Sequence, residues 1–277
     1  MIAEHVASIV IPTFNRAQLL PRAIDTALAQ SVPCEVIVCD HGSTDATPAI
    51  AAGYKDRVRY IRRDVDHGPI FCWLDGIISV TTPYIHLTFD DDWIDEVFIE
   101  RCLGVFAEDC AFVFTGTQVH RGAEVMLEQH VDLFPTGTHD RSEAERFLLG
   151  LEFTVSPGCA LFRKEDAVSA LMASDNPLAR HRYHGAGPDM LMFLLPLLRY
   201  TRFGFVNERL AHFLAHDGSI TTDATADEDK HEALRRTYAE AKRYYQILRH
   251  ARDRRWCSAL GAAAARRWPR LFDRLSR

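Results

Sequence analysis

Short apolar runs and amphipathic stretches alternate along the first part of the chain. "VASIVIP" (6 to 12) is β-branched and ends at Pro12, which predicts a buried strand. Leu19, Leu20, Ala23, Ile24, Ala27 and Leu28 then recur at helical spacing, with Pro21 suited to a first turn. "CEVIVCD" (34 to 40) predicts a second strand. "GSTDATPAIAAG" predicts a short helix capped by Ser43 or Thr44, with Pro48 in its first turn and Gly53 after its end. "RVRYIRR" (57 to 63) predicts a third strand, a helix follows over about Ile70 to Val80, and "YIHLTF" (84 to 89) predicts a fourth strand. This alternation points to an α/β protein with a parallel sheet covered by helices on both faces. Such sheets bind ligands beyond the carboxyl ends of their strands. "PTFNR", "DHGSTD" and "FDDDW" all fall at those ends, so three polar loops converge on one edge.

The second half is less regular. "CAFVFTG" (110 to 116) and "GCALF" (158 to 162) predict strands; "RSEAERFLLG", "KEDAVSALMA" and "DMLMFLLPLLRY" predict helices. "RFGFVNERLAHFLAH" predicts two short strands or a hairpin. Residues 217 to 229 are polar and rich in Ser, Thr and Asp, which predicts a mobile loop, and from Lys230 the pattern is helical to the end. The expected organisation is a body over 1–220, with a nucleotide-binding half to about 116 and an acceptor-side half over 117–220, followed by a loop and a basic helical tail over 221–277.

Composition narrows the function. The chain has 277 residues, 47% hydrophobic and 25% charged, enough for one large or two small domains with a sizeable core. A net charge of −6 argues against broad nucleic-acid binding. No run is long enough to span a bilayer and the N-terminus carries no signal-peptide pattern, so the expected location is cytoplasmic. The seven cysteines are scattered with no C-x-x-C pair, which reads as reduced buried thiols rather than a disulfide framework or a zinc site.

Three adjacent carboxylates, Asp90, Asp91 and Asp92, follow the fourth predicted strand. Their repulsion is relieved if they hold a hard divalent cation such as Mg²⁺ or Mn²⁺. The plainer reading makes Asp91 and Asp92 the N-cap and first-turn acids of a helix over "WIDEVFIERCL". Asp40 could accept hydrogen bonds from a base or ribose, or only close a turn with Gly42 and Ser43; Asn15 could be an N-cap.

Taken together, "SIVIPTFNR", "EVIVCDHGSTDAT", "HGPIFCWLDGI", "YIHLTFDDDW", "SPGCALFRKED" and "GPDMLMFLLPL" resemble, in order and spacing, the family 2 glycosyltransferases over roughly 6 to 220. The resemblance implies a GT-A fold, a Rossmann-like, mostly parallel sheet with helices on both faces, and inverting transfer from a sugar nucleotide, with UDP as the nucleotide. It places Pro12, Thr13, Phe14, Asn15, Arg16, Asp40, Gly42, Ser43, Gly68, Asp90 and Asp91 around the nucleotide. It makes the triplet the DxD motif, with Asp92, Asp90 and His216 at Mn²⁺ or Mg²⁺. It sets Trp93, Gly158 and Asp189 at the donor and acceptor sugars, with Asp189 as the catalytic base. Trp93 could equally pack in the core, and Asp189 and His216 could be a helix cap and an ordinary histidine. The chain departs from the family where His41 replaces a usual second acid, where "DHGPIFCW" replaces an Asn- and Gly-rich stretch, and where Pro188 replaces a common Glu.

The expected partners are a nucleotide-sugar donor and a glycan or lipid-linked acceptor. The arginine-rich tail from Arg249, interleaved with Trp256, Leu260 and Trp268, could rest on the anionic inner face of a membrane, on the body, or on a second copy in a homodimer. Pro269 interrupts that stretch. Two other classes stay open. A nucleotidyltransferase would carry a Gly-rich, basic loop after the first strand, which "PTFNRAQ" lacks. A non-catalytic sugar-nucleotide binder would have Asp189 turned away from the cleft.

Overall fold

The computed structural model describes residues 5–151, 155–173, 179–181, 184–216 and 227–253. Most of the expected 217–229 loop, and the tail beyond 253 with Trp256, Leu260, Trp268 and Pro269, lie outside the described residues.

The first half follows the predicted alternation. β1 (Ala7–Thr13), β2 (Cys34–His41), β3 (Arg59–Arg63) and β4 (Tyr84–Leu87) are mutually parallel, in the order β3-β2-β1-β4. All seven residues of β1 are buried, which accounts for its continuous apolar run: the strand is central and covered on both faces. Between these strands lie α1 (Leu20–Leu28), α2 (Thr47–Gly53) and α3 (Pro69–Ser79). The chain runs outward from β1 to β3, then returns to the other side of β1 as β4. The order therefore reverses between β1 and β4, the point at which such sheets form a crevice at the carboxyl ends of their strands.

The rest of the sheet is mixed. β9 (Ala160–Arg163) lies antiparallel between β4 and β6 (Cys110–Arg121); β10 (Arg202–Leu214) runs parallel to β6. Three short strands were not legible in the sequence: β5 (Trp93–Ile94) pairs with β10, β7 (Glu124–Gln129) with β6, and β8 (Gly137–Asp140) with β10. α4 (Phe98–Val105), α5 (Arg141–Gly150), α6 (Lys164–Met172), α7 (Pro188–Leu194) and α8 (Glu228–Arg252) are the remaining α-helices among the described residues. Among the described residues, no helix is long and apolar enough to cross a membrane.

Several local expectations change. The segment 202–214 is one strand, not two or a hairpin; register shifts between Val206 and Ala211 absorb its polar interruption "NER" as bulges. Asp91 and Asp92 cap no helix, because β5 intervenes and α4 starts only at Phe98. α2 begins at Thr47, where Asp45 accepts the Thr47 N–H at 2.9 Å; neither Ser43 nor Thr44 is its cap, and Gly53 is its last residue.

α8 is bound to the body. Leu234, Tyr238, Ala241 and Tyr245 recur at helical spacing and are buried. The Tyr245 hydroxyl donates to Glu145 on α5, which also receives Arg249 at 2.8 Å. Glu240 accepts the N–H groups of Arg180 and His181 at 2.7 and 3.1 Å.

Candidate active site

The first loop leaves the sheet at Pro12 and Thr13. Phe14 stands 45% exposed at its tip, while Asn15 adopts a left-handed φ of 55° that Asn tolerates better than most residues. Asn15 caps no helix; it stitches the first loop to the second. Its N–H donates to Ser43 Oγ at 2.8 Å, and its Oδ1 accepts the N–H groups of Thr44 at 2.8 Å and Asp45 at 3.3 Å. The Arg16 N–H extends the seam to Thr47 Oγ1 at 3.0 Å.

Asp40, at the end of β2, is fully buried. One carboxylate oxygen accepts the Ser43 N–H at 2.9 Å and the other the Tyr60 hydroxyl at 2.6 Å, with Arg62 Nε at 3.7 Å. Burial and the Asp40 charge push the Tyr60 phenol pKa up, so Tyr60 remains a donor. The turn closes because Gly42 takes a φ of 81°, where an added Cβ would stand 3.1 Å from the Asp64 carbonyl oxygen. Gly68 opens α3 from a φ of 90°, its N–H held by Asp66 at 2.7 Å.

The triplet leaves β4 beside β1, where the Thr88 N–H bonds to the Val10 carbonyl at 3.0 Å. Its three carboxylates are held by different segments. Asp90 is buried against Thr13, Arg16 and the Phe14 backbone; burial, then the neighbouring Asp91, raise its pKa to about 7. Asp91 Oδ2 lies 3.1 Å from His216 Nε2. Asp92 is buried and accepts the Leu214 N–H of β10 at 3.1 Å; burial and the Asp91 charge raise its pKa well above the usual range. Arg22 reaches in from α1, donates to the Asp91 carbonyl at 2.9 Å and lies 3.7 Å over the Trp93 ring. His216, expected beside Asp90 and Asp92, thus meets Asp91.

The donors suit a divalent ion in one respect. Asp90 and Asp92 are driven toward protonation by burial and by the charge of Asp91 between them, a cost that a hard cation removes. Among the described residues the acids and His216 do not close a group of three ligands within 4.8 Å; the trio that does is Cys39, His41 and Cys72. An ion at the triplet would therefore take one or two side chains and complete its shell with phosphate oxygens, a common Mg²⁺ arrangement.

Asp189 is the second residue of α7, 9% exposed. Its Oδ2 accepts the Tyr238 hydroxyl of α8 at 2.7 Å and its Oδ1 the Met190 N–H at 2.6 Å. Burial raises its pKa to about 7 against those hydrogen bonds, so its protonation state changes near neutrality. The turn before α7 is tied to the triplet through rings. Phe89 packs on Trp73 at 5.4 Å between centroids, and a Cβ on Gly185 would fall 2.4 Å from Trp73 Cη2.

Trp93 is engaged within the protein, by Arg22 and by His212, stacked at 5.2 Å, and His120, tilted at 4.7 Å. Gly158 brings its backbone against Phe213 and Phe89, where a Cβ would lie 3.1 and 3.7 Å away. Sequence reasoning missed Tyr238, Tyr60 and Arg22. Tyr238 alone had a visible signal, its place on the apolar stripe of α8.

Residues 8–168 match the model of glycosyl transferase family 2. An uncharacterized glycosyltransferase of Rickettsia typhi is 27% identical over 83% of this chain and 70% of its own length. Among solved structures, S. aureus TarS 1-349 in complex with UDP-GlcNAc aligns with a TM-score of 0.62 at 13% identity, over 95% of this chain and 92% of that one. The mannosyltransferase PcManGT from Pyrobaculum calidifontis, in complex with GDP-Man and Mn²⁺, aligns with a TM-score of 0.52 at 14% identity, over 95% of this chain and 76% of that one. The structural likenesses agree with the GT-A fold, and the family match covers the three loops that meet at the crevice: the chain belongs to glycosyl transferase family 2.

Proposed function

We propose that this protein is a metal-dependent, inverting glycosyltransferase that moves a sugar from UDP to a hydroxyl of a glycan or lipid-linked acceptor. The observation that carries this reading is the junction of three loops at the β1/β4 crevice, where Thr13 and Phe14, Asp40 and the acidic triplet meet. Phe14 offers an exposed face to a base, and the loop held by Asp40 and Asn15 frames the nucleoside. Mn²⁺ or Mg²⁺, when bound at the triplet, neutralises charge on the leaving diphosphate. Asp90, Asp91 and Asp92 hold the ion and ribose, and His216 steadies Asp91.

Asp189 supplies the base. In its charged form it takes the proton of the acceptor hydroxyl. The freed oxygen attacks the anomeric carbon while the bond from that carbon to phosphate oxygen breaks, and the electron pair leaves with the diphosphate. Tyr238, donating to Asp189 Oδ2, holds the carboxylate in place and favours its charged state. In-line attack by an enzyme-activated acceptor inverts the anomeric centre.

The test is turnover of a panel of UDP- and GDP-sugars, with Mn²⁺, with Mg²⁺ and with chelator. UDP release should require the divalent ion and should exceed that from GDP-sugars. Equal turnover with chelator would remove the metal from the reading. Nucleotide binding without turnover on any acceptor would favour a sugar-nucleotide binder.

A further inference from the structure

Side chains alternate along β2. Asp40 faces Ser43 and Tyr60, and its neighbours Cys39 and His41 share the opposite face. α3 packs on that side and brings in Cys72, whose Sγ donates to the Cys39 carbonyl at 3.1 Å. Cys39, His41 and Cys72 are 0%, 1% and 4% exposed. One ligand-capable atom from each lies within 4.8 Å of the other two. His41 Nε2 meets Asp75 Oδ2 at 3.3 Å, and Asp75 is gripped by Arg63 at 2.7 and 3.1 Å. His41 Nδ1 is buried with no hydrogen-bond partner among the described residues.

We propose that Cys39, His41 and Cys72 form a binding site for one thiophilic d¹⁰ cation, Zn²⁺ or Cu⁺, between β2 and α3. Two buried cysteines alone would be small hydrophobes. They leave unexplained a histidine buried with one nitrogen orphaned, which is unfavourable for a polar atom out of reach of water. Asp75 explains the other nitrogen: a ligating histidine usually gives its second ring N–H to a carboxylate, which leaves the first as a lone pair for the metal. Here that lone pair is Nδ1. Zinc–sulfur and zinc–nitrogen bonds of about 2.3 and 2.0 Å place ligand atoms about 3.5–3.8 Å apart, so modest side-chain rotation closes the trio. Binding releases both thiol protons. With Zn²⁺ the two thiolates are neutralised, which suits the buried setting; with Cu⁺ the three donors already satisfy the ion's preference for few soft ligands. The trio shares no ligand with the acidic triplet, although Asp90 lies near enough to act on the Cys72 thiol, and the proposal stands whether or not the transferase reading holds.

Cobalt titration of the reduced full-length chain separates thiolate ligation from carboxylate binding. One equivalent of Co²⁺ should raise a sulfur-to-cobalt charge-transfer band that Zn²⁺ abolishes. A parallel titration against a coloured Cu⁺ chelator tests the other ion. Asp92→Ala should keep the band, Cys39→Ser/Cys72→Ser should lose it, and Asp75→Asn should weaken binding about 10–100-fold. One equivalent in either titration, lost in the cysteine variant, supports the site and names its ion. If that variant does not fold, the wild-type stoichiometry and the Asp75→Asn shift decide. A folded wild type that shows neither the band nor one equivalent of Cu⁺, or binding unchanged by Asp75→Asn, overturns the proposal.

Discussion

Asp189 combines burial with hydrogen bonds from Tyr238 and nearby backbone N–H groups that oppose it, and its pKa of about 7 follows from that balance. A base with this pKa is charged above neutrality, so kcat should rise with pH through about 7. Tyr238→Phe removes a bond to the charged form; the pKa climbs, and the rising limb of the pH–rate profile should move to the alkaline side. A profile that does not move would exclude Tyr238 as the group that sets the protonation of Asp189. Asp189→Asn should keep UDP affinity and lower kcat by roughly a hundredfold or more. At this scale the sequence was partly legible. The triplet and Asp189 are visible as acids after a strand and before a helix. Tyr60 and Arg22 are not, and Tyr238 shows only its place on the apolar stripe of α8, because each is 20 or more positions from the carboxylate or carbonyl it contacts.

Among elements, the segments that carry the site are joined by a few contacts with little slack. Asn15 ties the first loop to the second. Asn15→Ala should cost about 1–2 kcal/mol, because the Thr44 and Asp45 N–H groups lose their acceptor and Ala resists a φ of 55°. A fall in Tm together with weaker UDP binding is the expected result; an unchanged Tm would mean the seam contributes nothing. Gly185→Ala places a Cβ against the Trp73 ring, so that ring or the turn leading to Asp189 must shift. Turnover should drop more than nucleotide affinity, and Trp73→Phe in the same chain should restore part of it. The parallel strands were readable from their apolar runs. β10 was not, since "NER" mimics a turn where the strand only bulges, and the two-residue β5 is too short for any periodicity to show.

Across the molecule, the buried acids set a pH dependence of stability. Asp90 and Asp189 hold their protons up to about pH 7 when folded, against about 4 when unfolded. Between those values the folded state binds more protons, so these groups make unfolding easier as pH rises through that window. With chelator present, Tm should therefore be lower at pH 8 than at pH 5.5. A divalent ion with UDP should restore part of the loss at pH 8, since both bind only the folded chain. If Tm rises between those pH values, other groups dominate the linkage.

β10 begins at Arg202, paired with β8, and ends at Leu214, whose N–H holds Asp92. Between those ends it is hydrogen-bonded to β6 along most of its length. One continuous, bulged strand thus joins the side of the molecule near Asp140 to the acids that follow β4. A chimera that imports a foreign acceptor region therefore cannot place its seam inside 202–214 without resetting the register under Asp92. The transplantable unit has to carry the whole strand, and with it the contacts that its last residues make with the triplet.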